Sequence, residues 1–218
     1  LHVHEEGHPE IEVLLLFRDY LRKNDKGRDE YAALKDEILK DPLSSVKTYS
    51  IFPAYTLRKN DFILNVLKQN DFKRTRFVKC THHNEIHAAK YFRQKYFFDK
   101  ASIKDPYIWT FNHPDHVHFI LYQGTLIIGY GHIQLCSNAK AILRIIVIEQ
   151  EKRNQGLGVY FLKLIEKWLK TQNYRTIHSH PSPAAIEFYK KYGYHKMPFN
   201  DPDGYESDPF DIPVGKNL

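Results

Sequence analysis

Cysteine and methionine are nearly absent from this chain. Its two cysteines, Cys80 and Cys136, stand far apart and belong to no paired spacing, so neither a disulfide framework nor a cysteine-based zinc ribbon is predicted. A reducing, cytoplasmic setting is expected. The single methionine is Met197 and the sequence opens on Leu1, which reads as a fragment or a processed chain. Long apolar runs are missing too: no stretch approaches the roughly 18 residues of a membrane helix, and no basic-then-apolar leader opens the chain. A soluble protein with no membrane partner is expected. Neither sign of charge dominates, with 32 Lys and Arg against 26 Asp and Glu, a net charge of +6, and no five-residue block that is purely basic. That favours a solvated lysine-rich surface over a nucleic-acid face, and no nucleic acid is expected as partner. The 13 histidines include the pairs His83 and His87 at helical spacing, and His116 with His118 and His178 with His180 at strand spacing. None completes a ligand set, so no metal is predicted.

Among what is present, the stretch from Leu143 to Leu169 organises the rest. Residues Ala141 to Ile148 are nearly all apolar and rich in β-branched side chains, as suits a strand buried on both faces. The polar run Glu149 to Gln155 breaks that pattern. From Gly156 onward Leu157, Phe161, Leu164, Ile165, Trp168 and Leu169 recur at helical spacing. Two glycines at this junction let the backbone approach a ligand and leave the first-turn N–H groups of the helix uncovered, with the positive end of its dipole behind them. The result is an anion cradle suited to phosphate. It lacks the Gly-Lys-Ser/Thr of a nucleotide P-loop and the third glycine of a dinucleotide fingerprint. What remains is Arg153-x-x-Gly156-x-Gly158.

Those residues resemble motif A of the GNAT family of acyl-CoA N-acyltransferases, in which Arg/Gln-x-x-Gly-x-Gly/Ala follows a strand. Downstream, Ser182-Pro183-Ala184-Ala185-Ile186-Glu187-Phe188-Tyr189-Lys190-Lys191-Tyr192-Gly193-Tyr194 resembles the family's later helix in order and distance. The resemblance implies an α/β fold of the GNAT type, a mixed, mostly antiparallel sheet flanked by helices with a helical extension at the amino end. It also implies transfer of an acetyl group from acetyl-CoA to a primary amine on a small molecule or peptide. Backbone groups of Val147 and Ile148 would then pair with the pantetheine arm, and the N–H groups of Arg153, Asn154, Gln155, Gly156, Leu157 and Gly158 would meet the pyrophosphate. Ile148 stands at the family's usual valine and Gln150 at its usual proline. Tyr189 takes the position of the general acid that protonates the departing thiolate; packing beside Phe188 is its other reading. Ser182 replaces the usual asparagine, so a contact to coenzyme A is shortened or lost there. For the base, Glu149 is named, with His132 and His180 as further candidates by type and place, each of which also has a structural reading.

The first seventy residues or so resemble the carboxy-terminal half of the GrpB family, in His2, His4, Leu16-Phe17-Arg18-Asp19-Tyr20-Leu21 and Glu30-Tyr31-Ala32-Ala33-Leu34-Lys35. GrpB domains resemble nucleotidyltransferases, but the half that would carry the nucleotidyl-transfer positions does not occur here. This segment cannot perform that reaction alone, and its helices are expected to pack rather than stand free. The expected division is therefore a truncated GrpB-like helical segment, residues 1–72, and a GNAT domain, residues 73–218. A non-catalytic acyl-CoA-binding module that regulates a GrpB-type domain is the alternative. Expected strands cover Leu1–His4, Phe77–Cys80, His116–Tyr122, Thr125–Cys136, Tyr174–Ser179, Tyr194–Met197 and Asp211–Val214. Helices are expected over Ile11–Leu21, Arg28–Leu39, Asp61–Lys68, Glu85–Phe97 and Ser182–Tyr192, and an acidic turn-rich loop over Asn200–Pro209. The aromatics Tyr91, Phe92, Tyr96, Phe97 and Phe98 either border an acceptor pocket or pack on the sheet.

Overall fold

A computed structural model of the chain describes residues 8–45, 54–202 and 210–218. The strand expected at Leu1–His4 and most of the acidic loop, residues 203–209, lie outside the described residues. The chain clusters into two compact units, Leu1–Ala88 with Leu121–Ile128, and Ala89–Ile120 with Gly129–Leu218. Seven strands are hydrogen-bonded in the order β1-β2-β3-β4-β5-β7-β6: β1 Thr75–Lys79, β2 His116–Gln123, β3 Leu126–Cys136, β4 Lys140–Ile148, β5 Thr176–Ser179, β6 His195–Lys196 and β7 Val214–Asn217. The sheet is mixed and mostly antiparallel, as expected.

In the first unit, α1 (Pro9–Lys23) and α2 (Asp25–Lys40) each begin at a side-chain cap. His8 Nδ1 accepts from the Glu10 N–H and Asn24 Oδ1 from the Gly27 N–H, so both helices start earlier than apolar spacing alone indicates. A short α3 (Ala54–Leu57) precedes α4 (Asn60–Gln69). Val13 of α1, Leu67 of α4 and Phe72 form the buried centre, joined by Leu16, Ile63 and Leu64. The rings of Phe17, Tyr31 and Phe62 meet one another beside it. Glu12 and Glu10 of α1 pair with Arg74 and Arg76 at β1. Within this unit α1 thus packs against β1. The next helix, α5 (His83–Arg93), is capped by His82 Nδ1, which accepts from the Asn84 N–H, while Glu85 reaches back to the Thr81 and His82 N–H groups.

In the second unit, α6 (Leu157–Thr171) lays Phe161, Leu162, Ile165 and Leu169 against the sheet, all essentially without exposure. It crosses β3 closely at Gly131, where a Cβ would lie 3.0 Å from Ile165 and 3.2 Å from Phe161. Arg93, at the end of α5, is buried and donates to Thr110 Oγ1 and Asp105 Oδ1 at 2.8 Å each, which ties down the irregular segment before β2. The helix expected to run on to Phe97 changes to a wider π-type turn at Gln94–Phe98. α7 (Ile186–Lys191) follows β5 through a 3₁₀ turn, Pro183–Ala185. The last strand begins three residues later than expected. Pro213 has no N–H to give a ladder, and its carbonyl accepts from Met197 instead, so β7 starts at Val214 and pairs antiparallel with both β5 and β6.

Candidate active site

The site begins with an interrupted strand pairing. β4 runs antiparallel to β3 from Lys140 to Ile148, but its parallel pairing with β5 covers only Lys140↔Thr176, Ala141↔Ile177 and Ile142↔His178. Beyond Ile142 the two strands part. Ser179 Oγ donates to the Leu143 carbonyl at 2.9 Å just where the split opens. One edge of β4 therefore faces a cleft instead of a neighbouring strand, and its backbone polar groups are available to an extended ligand.

That cleft widens into a cavity of about 660 Å³. Val147 and Ile148 of β4, Arg153 and Asn154 of the loop, Gly156 and Gly158 at the start of α6, and Tyr189 of α7 all line it. Gln155, Leu157 and Ser182 do not contribute to its wall, and neither does Glu149. The loop that brings these groups together is a 3₁₀ turn, Gln150–Lys152, followed by two left-handed residues, Asn154 at φ 60° and Gly156 at φ 77°. Gly156 caps α6 with no side chain, so the first N–H groups of the helix stay open to the cavity. Gly158 is informative in a different way: a Cβ there would meet nothing nearer than the Phe188 ring at 3.8 Å. The protein's own packing does not demand glycine at 158. A side chain would instead fill the cavity, as expected of a surface that a ligand approaches closely.

Arg153 is anchored as well as charged. Its Nε donates to the Ile148 carbonyl at 3.0 Å and its guanidinium lies over the Tyr96 ring at 5.0 Å. Tyr96 and Lys95, set by the π-type turn, both reach Glu149 Oε1, at 2.5 and 2.6 Å. Burial pushes the Glu149 carboxyl up, yet the hydrogen bonds from Lys95 and Tyr96 outweigh it and hold the group below the usual carboxylate range. Glu149 is thus an ionised, occupied carboxylate that locks the end of α5 to the end of β4. Tyr189 is buried between Phe188 and Tyr194, both edge-on at 5.4 and 5.2 Å, and burial raises its phenol to about 12 against a hydrogen bond with Ser179. It stays protonated across the neutral range.

Several groups were not singled out by sequence reasoning. Arg144, within the otherwise apolar stretch Ala141 to Ile148 of β4, forms a bidentate pair with Asp201 and also binds Gln134 Oε1. A lone charge within a buried run is the signal that would have found it. Sequence reasoning does not name Lys95, and it reads the neighbouring Tyr96 only as a ring that borders an acceptor pocket or packs on the sheet, not as a partner of Glu149. Of the candidate histidines, His132 is buried and bonds His116 through Nε2 at 2.8 Å, and beside it His118 has both nitrogens engaged, with the Tyr130 hydroxyl at 2.9 Å and the Thr110 carbonyl at 3.2 Å. Asp61, His82 and His83 bring three ligand-type atoms within 4.8 Å in the first unit. The Nδ1 lone pair of His82 serves there as the cap of α5.

Comparisons with known proteins agree with this geometry. The family model described as "Acetyltransferase (GNAT) domain" matches residues 114–196, and that described as "GrpB protein" matches residues 1–69. Among curated proteins none matches the sequence. Solved structures with the same fold include an acetyltransferase of the GNAT family from Staphylococcus aureus Mu50, with a TM-score of 0.54 at 15% identity over 66% of this chain and 99% of that one. Tetrahymena GCN5 has a TM-score of 0.54 at 14% identity, over 65% and 95% of the two chains. The ribosomal-protein-S18-alanine N-acetyltransferase from Escherichia coli has 0.51 at 17%, over 66% and 94%. The matched span 114–196 contains the split of β4 from β5, the Arg153–Gly158 loop and Tyr189. Residues 114–196 thus match a GNAT acetyltransferase domain, the chain shares the fold of solved GNAT structures, and residues 1–69 match GrpB.

Proposed function

We propose that this protein is an N-acetyltransferase that moves an acetyl group from acetyl-CoA to a primary amine on a small molecule or a peptide. The observation that carries the reading is the convergence of three features on one cavity: the unpaired edge of β4, the open N-terminus of α6 behind Gly156 and Gly158, and the buried, protonated Tyr189. The first suits the amide-bearing pantetheine arm of coenzyme A, and Val147 and Ile148 would pair with it. The second suits its pyrophosphate, with the N–H groups from Arg153 to Gly158 as donors and Arg153 adding charge. The third suits the sulfur that leaves, since a neutral phenol can hand over its proton. Ser182 lies outside the wall and gives the cofactor at most a peripheral contact. Glu149 enters as the carboxylate that orders the acceptor side through Lys95 and Tyr96, and takes a proton only if Lys95 lets go.

The domain limit is proposed at residues 72–73, just before β1. The free thiols Cys80 and Cys136 support a reducing, cytoplasmic setting. Among the described residues no helix is long and apolar enough to cross a membrane. A peptide amine is within reach of this fold, as the name of the S18-alanine enzyme illustrates for that protein. The test is an isothermal titration with acetyl-CoA of the parent chain and of Gly158→Glu. The parent should bind with a dissociation constant on the order of micromolar, and the variant, which fills the cradle and repels phosphate, at least about 100-fold more weakly. A folded parent that shows no binding contradicts the reading.

A further inference from the structure

We propose that His180 takes the proton of the incoming amine, acting from the opposite face of the split between β4 and β5 to Tyr189. This deepens the acetyltransferase reading and rests on it. Side chains of a strand alternate between its faces. On β5, Ser179 bonds both the Leu143 carbonyl and Tyr189, which sets it and the wholly buried Ile177, two residues earlier, on the Tyr189 side. His178 and the next-but-one residue, His180, occupy the other side, where both rings pack on Phe199 with centroids 4.7 and 4.5 Å away. The last β4–β5 pair is Ile142↔His178, so His180 stands at the mouth of the split, one residue past the one that touches the proposed acid.

Availability separates His180 from the other bases at hand. Both nitrogens of His118 are engaged, His132 is tied to His116, and His178 is buried, with Nε2 on Thr176 Oγ1 and Nδ1 sealed against Gly215. Glu149 is held by Lys95 and Tyr96. Among the described residues no hydrogen bond to either ring nitrogen of His180 is formed, and the ring is half-buried instead of sealed. The charged groups that face it are Asp201 and Asp211, which favour its protonation, and Arg144, which opposes it; with burial as the largest influence, the imidazole is held below its usual range and is neutral at pH 7. Asp201 is committed to Arg144, so its pull on the imidazole is blunted.

The step balances as follows. One proton of the ammonium passes to a ring nitrogen of His180, directly or through one water, and the neutral amine so formed bonds to the acetyl carbon. The C–S bond breaks, and the sulfur takes its pair and the proton of Tyr189. The second nitrogen proton restores Tyr189 through solvent, the amide and the free thiol leave, and His180 releases the ammonium proton to solvent. No further reactant is needed.

Two measurements test this. In the first, the His180 ring is titrated by NMR in the parent chain, assigned by its loss in His180→Gln, without and with acetyl-CoA at calorimetric saturation. In the second, thiol release from acetyl-CoA is compared in the parent, His180→Gln and His180→Asn with two probe nucleophiles: ethylamine, protonated at pH 7 and in need of a base, and hydroxylamine, neutral there. The proposal expects the His180 titration to move when acetyl-CoA binds. It also expects both variants to lose about 100-fold with ethylamine and to change less than about threefold with hydroxylamine. An unmoved titration with acetyl-CoA bound, or equal losses with the two nucleophiles, overturns it. The NMR arm decides the matter in the parent chain however slowly ethylamine reacts. If calorimetry finds no acetyl-CoA binding at all, the acetyltransferase reading has failed first, and the role of His180 falls with it.

Discussion

Replacing Tyr189 by Phe is expected to lower kcat for acetyl transfer by about 100- to 10,000-fold, the range that a positioned general acid supplies. Acetyl-CoA affinity should change little, because the phenyl ring keeps its edge-on contacts with Phe188 and Tyr194. The fold should also survive: Ser179 Oγ still donates to the Leu143 carbonyl, so the lost hydroxyl costs on the order of 1 kcal/mol. Loss of rate without loss of binding is the pattern of an interaction made in the transition state. Since burial raises the phenol to about 12, the parent's rate should not fall on the alkaline side until well above pH 10. A variant that turns over at the parental rate would place Tyr189 among the core side chains only.

Acidification from pH 7 to pH 5 should cost the second unit about 2 kcal/mol or more. Burial holds His118 down to about 3, and holds the fully enclosed His132 well below its usual range, with neighbouring cations adding to the effect. Both stay neutral when folded and bind protons near pH 6.5 when unfolded. The unfolded state therefore binds more protons below pH 6.5, so stability is complete above that pH and declines as pH falls toward 3. His118 contributes a slope of up to about 1.4 kcal/mol per pH unit, or roughly 2 kcal/mol between pH 6.5 and 5. His132 adds to this in the same direction, and even about 2 kcal/mol is a large share of an ordinary domain's stability. Glu149, whose folded carboxyl is depressed, adds a smaller loss only as pH falls below the usual carboxylate range. Urea midpoints at pH 7 and pH 5 measure this, and His118→Gln, which can keep a donor and an acceptor in place, should flatten the dependence. Equal midpoints at the two pH values would refute the neutral, buried histidines.

The parts of the site carried by local pattern were legible in the sequence. An apolar run, a polar break and two glycines before helical spacing specify strand, loop and helix within a single stretch, and β4, the Arg153–Gly158 loop and α6 follow that order. The expected strands His116–Tyr122 and Thr125–Cys136, two residues apart, likewise correspond to β2 and β3. What was not legible depends on pairing across the chain. Nothing in residues 140–148 says that β5 stops accompanying β4 after Ile142, because a split is a property of two strands and of the Ser179 side chain that ends their contact. The occupation of Glu149 needs Lys95 and Tyr96, more than fifty residues away, delivered by a π-type turn that periodicity reads as plain helix. Arg144 is similar: its composition signal is local, but its partner Asp201 lies beyond α7. The late start of β7, by contrast, was written in Pro213 and could have been read.

The account's central claim is acetyl transfer, and product analysis tests it most directly. The parent chain, acetyl-CoA and a panel of primary amines, peptide amino termini included, are incubated together, with free thiol and the mass of each amine followed in the same samples. Thiol release should be matched one for one by amines heavier by an acetyl group, and both should collapse in Tyr189→Phe. Firm acetyl-CoA binding with neither thiol nor acetylated amine above the uncatalysed background would contradict the claim, and would leave an acyl-CoA-binding module in its place.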